Sequence, residues 1–171
     1  MSAYKGYFLD LDGTVYKGQT PIREAVDFVH YLQNKGIEPF FVTNNSSMTQ
    51  KQLQQKLAKM EIQTSEEQII SSSIAAANYI AEHYPAKSVF MIGEEGLSDA
   101  LASVGIETTD ELAEVVVMGI DHQVNYEKLA EACLAVRAGA AFISTNGDGA
   151  FPGEGGCRPG NGACTKLVEQ C

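Results

Sequence analysis

Phe8-Leu9-Asp10-Leu11-Asp12-Gly13-Thr14 is the stretch that decides how this 171-residue chain is read. The apolar run from Tyr7 to Leu11 predicts a short strand, and Asp12-Gly13-Thr14 breaks it. Two carboxylates thus arrive where a strand gives out, and in open α/β sheets ligands bind outside the carboxyl ends of the strands. The turn after Leu11 lets Asp12 swing beside Asp10. Gly13 permits that turn, and Thr14 can hydrogen-bond it in place. Carboxylates ~4 Å apart at an effective dielectric of ~20 repel by about 4 kcal/mol, so a fold keeps them together only where a cation or a proton relieves the repulsion. The pattern therefore predicts a metal-assisted carboxylate nucleophile with an acid/base neighbour. The plainer reading is an Asp-rich turn in solvent. It is disfavoured because the pair stands directly behind a hydrophobic N-terminal strand.

The next informative stretch is Phe41-Val42-Thr43-Asn44-Asn45-Ser46-Ser47. Phe40-Phe41-Val42 predicts a second buried strand, so Thr43 and Asn44 fall at the same edge of the sheet as Asp10. A hydroxyl followed by free amides suits a phosphate. A loop with a helix cap explains the same residues in isolation, and only the pairing with the first stretch favours function.

Around these stretches strands alternate with helices. Thr20-Pro21 predicts an N-cap with Pro at the first helical position. Ile22, Val26, Val29 and Leu32 follow at helical spacing, with Gly36 as the stop. Leu53, Leu57 and Met60 mark a second helix, Ile69-Ile70 a strand, and Ser73 the cap of a helix running to about His83. The pattern then restarts with a strand at Val89 to Ile92, a helix through Leu97, Leu101 and Val104, and a strand at Val115-Val116-Val117. A helix from Tyr126 to Ala138 and a strand at Phe142-Ile143 follow. Residues 147–162, rich in Gly and Pro, predict loop, and residues 163–170 a closing helix. This order implies an α/β fold with parallel sheets. Pro85 suggests the boundary between two small α/β units, residues 1–85 and 86–171.

Composition sets the outer limits. With 44% hydrophobic and 20% charged residues the chain can bury a core. A net charge of -10 argues against a nucleic-acid or anionic-membrane partner, yet leaves room for a phosphorylated small molecule if a metal or local amides offset the repulsion. No apolar run is long enough to span a bilayer and no signal-peptide pattern opens the chain, so a cytoplasmic location is expected. Cys133, Cys157, Cys164 and Cys171 form no C-x-x-C pair, which favours buried free thiols over zinc.

D-x-D-G-T on the first strand and T-N-N-S-S after the second resemble the first two motifs of the haloacid dehalogenase-like phosphatases. The likeness narrows to the NagD-like or p-nitrophenylphosphatase-type subfamily with a class IIA cap. Ser144-Thr145-Asn146-Gly147-Asp148 and Arg158-Pro159-Gly160-Asn161-Gly162-Ala163 are similar to that cap's closing loop and helix start. The resemblance implies half of a Rossmann-like parallel-sheet core followed by a complete α/β cap. It also implies a Mg²⁺-dependent hydrolysis of small-molecule phosphate monoesters. Asp10 would attack phosphorus and form an aspartyl-phosphate, and Asp12 would serve as acid and then base. Asp10 and the backbone carbonyl of Asp12 would hold Mg²⁺, while Thr43 and the Asn44 amide would bind the phosphoryl oxygens. Asn146, Asp148 and Phe151 would help choose the leaving group.

The family's third motif, a lysine, and its fourth, a Gly-Asp with further carboxylates, follow the cap, whereas this sequence stops at Cys171. A C-terminally truncated core, weakened activity, and association through an uncovered core face, as a homo-oligomer or with another chain, are the resulting expectations. The competing functional reading is a noncatalytic binding or assembly protein that retains the fold. A phosphoryl-accepting receiver domain would place its Asp on a later strand, and a mutase of the same superfamily would insert its cap just after the first motif.

Overall fold

The computed structural model describes residue 4, residues 6–153 and residues 156–171. Contacts divide the chain into two units. The first comprises residues 1–43 and 50–71, the second residues 44–49 and 72–171.

In the first unit β1 (Phe8–Asp10), β4 (Phe40–Thr43) and β5 (Ile69–Ser71) form a parallel sheet in the order β1-β4-β5. Parallel neighbours need a crossover, supplied by α1 (Arg23–Asn34) and α2 (Gln50–Lys59). Leu9 pairs with Phe41 and Phe41 with Ile69, a row that faces the core. Val26, Val29 and Leu32 of α1 and Leu53 and Leu57 of α2 are buried, the positions that helical spacing predicted. Gly36 ends α1 as expected. At φ 71° it donates to Gln33 O while Ile37 N reaches Leu32 O, the Schellman arrangement that a left-handed residue makes.

The opposite row of this sheet is open. Phe8 is 68% exposed, and Phe40, Val42 and Ile70 are each 37% exposed. Phe8 and Phe40 stack there with centroids 5.5 Å apart. A parallel sheet in an α/β fold normally has both faces covered.

Thr20-Pro21 does not start the helix. β2 (Tyr16–Lys17) and β3 (Thr20–Pro21) instead pair as a small antiparallel hairpin, with Gly18 at φ 58° in its turn. Ile22 becomes the N-cap of α1. Proline's fixed φ suits an extended residue as well as a first helical one, and the hairpin supplies partners that an isolated cap would lack.

The second unit repeats the theme. β6 (Val89–Ile92), β7 (Val115–Met118) and β8 (Ala141–Ser144) are parallel in that order. All four residues of β7 are buried. Val115 and Val117 pack with α3 (Ser72–His83) and α4 (Glu95–Ser103). Val116 and Met118 pack with α5 (Tyr126–Arg137) and α6 (Asn161–Glu169). Ala76, Ala77 and Ile80 of α3, ahead of the boundary expected near Pro85, share a core with Leu97, Leu101 and Val115. Ser73 does not cap α3. It lies within the helix, and its hydroxyl donates to the Ser46 carbonyl at 3.0 Å.

Residues 147–162 are not loop throughout. β9 (Ala150–Gly153) and β10 (Gly156–Pro159) pair antiparallel, and α6 begins earlier than expected, at Asn161. The cysteines are free, but none is fully buried: Cys133 and Cys164 are half-buried, and Cys157 and Cys171 are exposed. Among the described residues no helix is long and apolar enough to cross a membrane.

Candidate active site

Asp10 closes β1 and Thr43 closes β4, its parallel partner. Parallel pairing puts both at the carboxyl edge of one sheet, as the sequence predicted. Beyond Asp10 the Leu11 carbonyl accepts from the amides of Thr14, Val15 and Tyr16, and Gly13 sits at φ 90°. This tight turn requires a residue free of the left-handed penalty, and it holds Asp12 beside Asp10. The Thr14 hydroxyl donates to Asp10 Oδ2 at 3.2 Å, and the Tyr16 hydroxyl to Asp12 Oδ2 at 3.4 Å.

Asp12 is open to solvent, yet the protein around it raises its pKa above the ordinary carboxylate value. Loss of hydration is the main cause, and the neighbouring charge of Asp10 adds to it. Lys56 and the Tyr16 hydroxyl act in the opposite sense. Tyr16, fully buried, is held well above the usual tyrosine range by burial first and then by Asp12. The Lys56 ammonium lies 3.6 Å from the Tyr16 ring centroid, and burial draws its pKa below the usual lysine value. Tyr16 and Lys56 were not among the sequence candidates. The one signal for Lys56 was its position beside Leu53 and Leu57 on the buried face of α2.

Thr43 is 3% exposed. After it the chain enters the second unit, where the two serines that follow Asn45 are engaged in packing. Ser46 is fully buried and its Oγ accepts from Ile120 N at 2.9 Å. Ser47 gives both its amide and its hydroxyl to Asn45 Oδ1. Glycines make room for this segment. A Cβ on Gly96 would stand 2.4 Å from Met48 O, and one on Gly119 2.7 Å from Ser46 Oγ.

The second unit brings together three of its four sequence candidates. Asn44 Nδ2 donates to Asp148 Oδ2 at 2.5 Å, and Asn146 Nδ2 donates to the Asn44 carbonyl at 3.1 Å. Asp148 N in turn donates to Asn146 Oδ1. Phe151 lies apart from this cluster, on β9, edge-on to His122. The chain before α6 is fixed by close backbone approach, since a Cβ on Gly162 would meet Gly147 O at 2.2 Å.

Asp10 and Asp12 offer oxygen donors of the kind Mg²⁺ takes, usually one or two carboxylates completed by waters and phosphate oxygens. Among the described residues no group of three or more His, Cys, Asp or Glu could hold a metal.

Residues 7–107 match the family model described as haloacid dehalogenase-like hydrolase. The chain is 49% identical over 168 residues to a 5'-nucleotidase, YutF, of Bacillus subtilis, covering 98% of this chain and 66% of the relative. It is 48% identical over 169 residues to an acid sugar phosphatase of Staphylococcus aureus, covering 98% and 65%. It therefore spans about two thirds of the length of these relatives. Among solved structures, a single-mutant thermostable NPPase from Geobacillus stearothermophilus superposes with a TM-score of 0.93 at 48% identity, covering 99% of this chain and 67% of that one. A p-nitrophenyl phosphatase from Archaeoglobus fulgidus gives 0.90 at 36% identity, covering 97% and 64%.

Proposed function

The chain belongs to the haloacid dehalogenase-like hydrolases, and from that premise we propose that it hydrolyses phosphate monoesters of small metabolites through an aspartyl-phosphate, with Mg²⁺ as cofactor. The observation that carries this reading is the placement of Asp10, Asp12 and Thr43. One carboxylate closes β1, the second follows two residues later, and the hydroxyl residue closes its parallel neighbour.

In this reading the Thr14 hydroxyl holds Asp10 through Oδ2, which leaves Oδ1 to attack phosphorus. The bond from phosphorus to the leaving oxygen breaks as the new bond to Asp10 forms. Asp12 hands its proton to that leaving oxygen, then takes one from the water that cleaves the acyl-phosphate. Thr43 and the Asn44 amide bind the phosphoryl oxygens. Asp10 and the Asp12 carbonyl would hold Mg²⁺, which when bound neutralises phosphoryl charge. Asn146, Asp148 and Phe151 are assigned to leaving-group choice. The relatives' names point to nucleotides in one case and sugar phosphates in the other, so small phosphorylated metabolites are the class proposed.

The described residues show no third metal-binding carboxylate beside Asp10 and Asp12. Loss of a single preorganised charge-stabilising group commonly costs ~100-fold or more in rate, so this polypeptide is expected to turn over slowly by itself. The same observation, with the open row of Phe8, Phe40, Val42 and Ile70, favours a second reading in which the fold serves binding or assembly.

Hydrolysis of a generic aryl phosphate with Mg²⁺, compared between the native chain and Asp10→Asn, separates the two. Slow, metal-dependent turnover that disappears in the variant supports the hydrolase. Equal rates in both proteins would remove it.

A further inference from the structure

Two of the free cysteines, Cys133 on α5 and Cys171 just beyond α6, meet at one end of the second unit. Cys133 packs against the core that α5 and α6 share through Ala132, Ala135 and Val168. Arg137 follows Cys133 by four positions, so both lie on one face of α5. Its Nη1 donates to the Cys171 carbonyl at 3.2 Å. That bond draws the chain after α6 to the face that bears Cys133. The Cys171 thiol folds back along its own helix and donates to the Leu167 carbonyl at 3.4 Å. The Cys133 thiol is hydrogen-bonded to the same Cys171 sulfur.

The two thiols differ in access. Cys171 is exposed and Cys133 is half-buried. Burial, and then the hydrogen bond to Cys171, pushes the Cys133 thiol up to about 11, so it stays protonated near neutral pH. An accessible sulfur beside a shielded one divides the work of oxidation. The first meets the oxidant, and the second resolves the product. Cys164 packs against the same core, but the hydrogen bond from Cys133 runs to Cys171.

We propose that Cys133 and Cys171 form a peroxide-responsive pair that closes into an intramolecular disulfide and clasps the end of α6 to α5. In the first step Cys171 Sγ attacks one oxygen of a hydroperoxide. The O–O bond breaks, a sulfenic acid forms on Cys171, and the other oxygen leaves with the thiol proton as water or an alcohol. In the second step Cys133 Sγ attacks the sulfenyl sulfur. The S–O bond breaks as the S–S bond forms, and the hydroxyl leaves with the Cys133 proton as water. The two thiols are oxidised by two electrons in total, and one peroxide is reduced. The new bond restricts the unfolded chain between the two residues, so oxidation stabilises the second unit. The pair is independent of the phosphoryl chemistry assigned to Asp10.

The test treats the full chain with equimolar hydrogen peroxide, blocks the remaining thiols by alkylation, and digests it with trypsin without reduction. Trypsin releases Cys133 within residues 129–137 and Cys171 within residues 167–171. Cys157 and Cys164 stay together in residues 138–166, because Pro159 follows Arg158. Mass spectrometry should find the first two peptides joined, in protein that runs as a single chain on a non-reducing gel. The oxidised chain should melt about 5 °C above the reduced one and return to it with dithiothreitol. Cys133→Ser, and Cys171→Ser at its exposed position, should each abolish the linked peptide and the shift, whereas Cys164→Ser should keep both. No linked peptide, a link to residues 138–166, disulfides only between chains, or a linked chain that melts with the reduced one would overturn the proposal.

Discussion

Ser46 and Gly119 form a pair whose energies should not add. Ser46 is fully buried and its Oγ accepts from Ile120 N at 2.9 Å. Ser46→Ala removes that acceptor and leaves a part-buried amide unpaired, at a cost of about 1–3 kcal/mol. Gly119→Ala fails for another reason. Its new Cβ would lie 2.7 Å from Ser46 Oγ, 3.2 Å from Ser46 Cβ and 3.3 Å from Leu97 Cδ2. Overpacking of this kind typically costs about 1–3 kcal/mol. In the double variant the worst contact has gone and the nearest remaining one is at 3.2 Å. Replacing Gly by Ala also restricts the unfolded chain, which recovers about 0.4–1 kcal/mol once the native site accepts the methyl group. The double variant should therefore be more stable than the sum of the two losses by about 1 kcal/mol. Urea unfolding followed by far-UV circular dichroism measures the cycle, and melting temperatures should follow at about 2–4 °C per kcal/mol for a chain of this size. Additivity within about 0.5 kcal/mol, or a Gly119→Ala variant as stable as the native chain, would refute the close packing of this segment on which the argument depends.

The open face of the first sheet should drive association. Phe8→Ser with Phe40→Ser should lower the apparent mass seen by light scattering at high concentration, and a native chain that stays monomeric throughout would contradict this. Gly162→Ala should cost about 2–3 kcal/mol, because its Cβ meets backbone at 2.2 Å, whereas Gly149→Ala, which meets open space, should fall within about 0.5 kcal/mol of native. Glu114 is held below the usual glutamate range by its hydrogen bond from Lys87. A carboxylate with a depressed folded pKa stabilises above its unfolded pKa, and that contribution is lost as pH falls through the folded value. Glu114→Gln should therefore flatten the acid side of the stability profile below the ordinary glutamate range and leave its alkaline side unchanged.

Most of the architecture could be read in the sequence because it rests on local pattern. The run Val115-Val116-Val117 has no polar alternate, so it fits only a strand covered on both faces, and β7 is that strand. Gly36 could be read as a stop because only a left-handed residue completes the end of α1. What failed depended on long-range partners. Ala76, Ala77 and Ile80 share a core with Leu97, Leu101 and Val115, a partnership that their own spacing does not specify. β9 and β10 contain no β-branched residues. They are strands because they pair with each other, and Gly- and Pro-rich composition hides that.

The same distinction runs through the site. The placement of Asp10, Asp12 and Thr43 could be foreseen because each lies at or just beyond a strand end, a position that periodicity reveals. Ser46 lies in the same stretch as Thr43, and its hydroxyl is a structural acceptor for the amide of Ile120, seventy-odd residues away. Asn44 meets Asp148 across a still longer separation. Lys56 shows why type alone misleads. A lysine on a polar-rich helix reads as solvent-exposed, but its long stem can lie along buried surface while the ammonium finds an aromatic face. Tyr16 provides that face and turns its hydroxyl to Asp12. Lys56 and Tyr16 thus place a positive charge and a hydrogen-bond donor beside the carboxylate pair. This compensation acts directly against the repulsion that the opening strand creates.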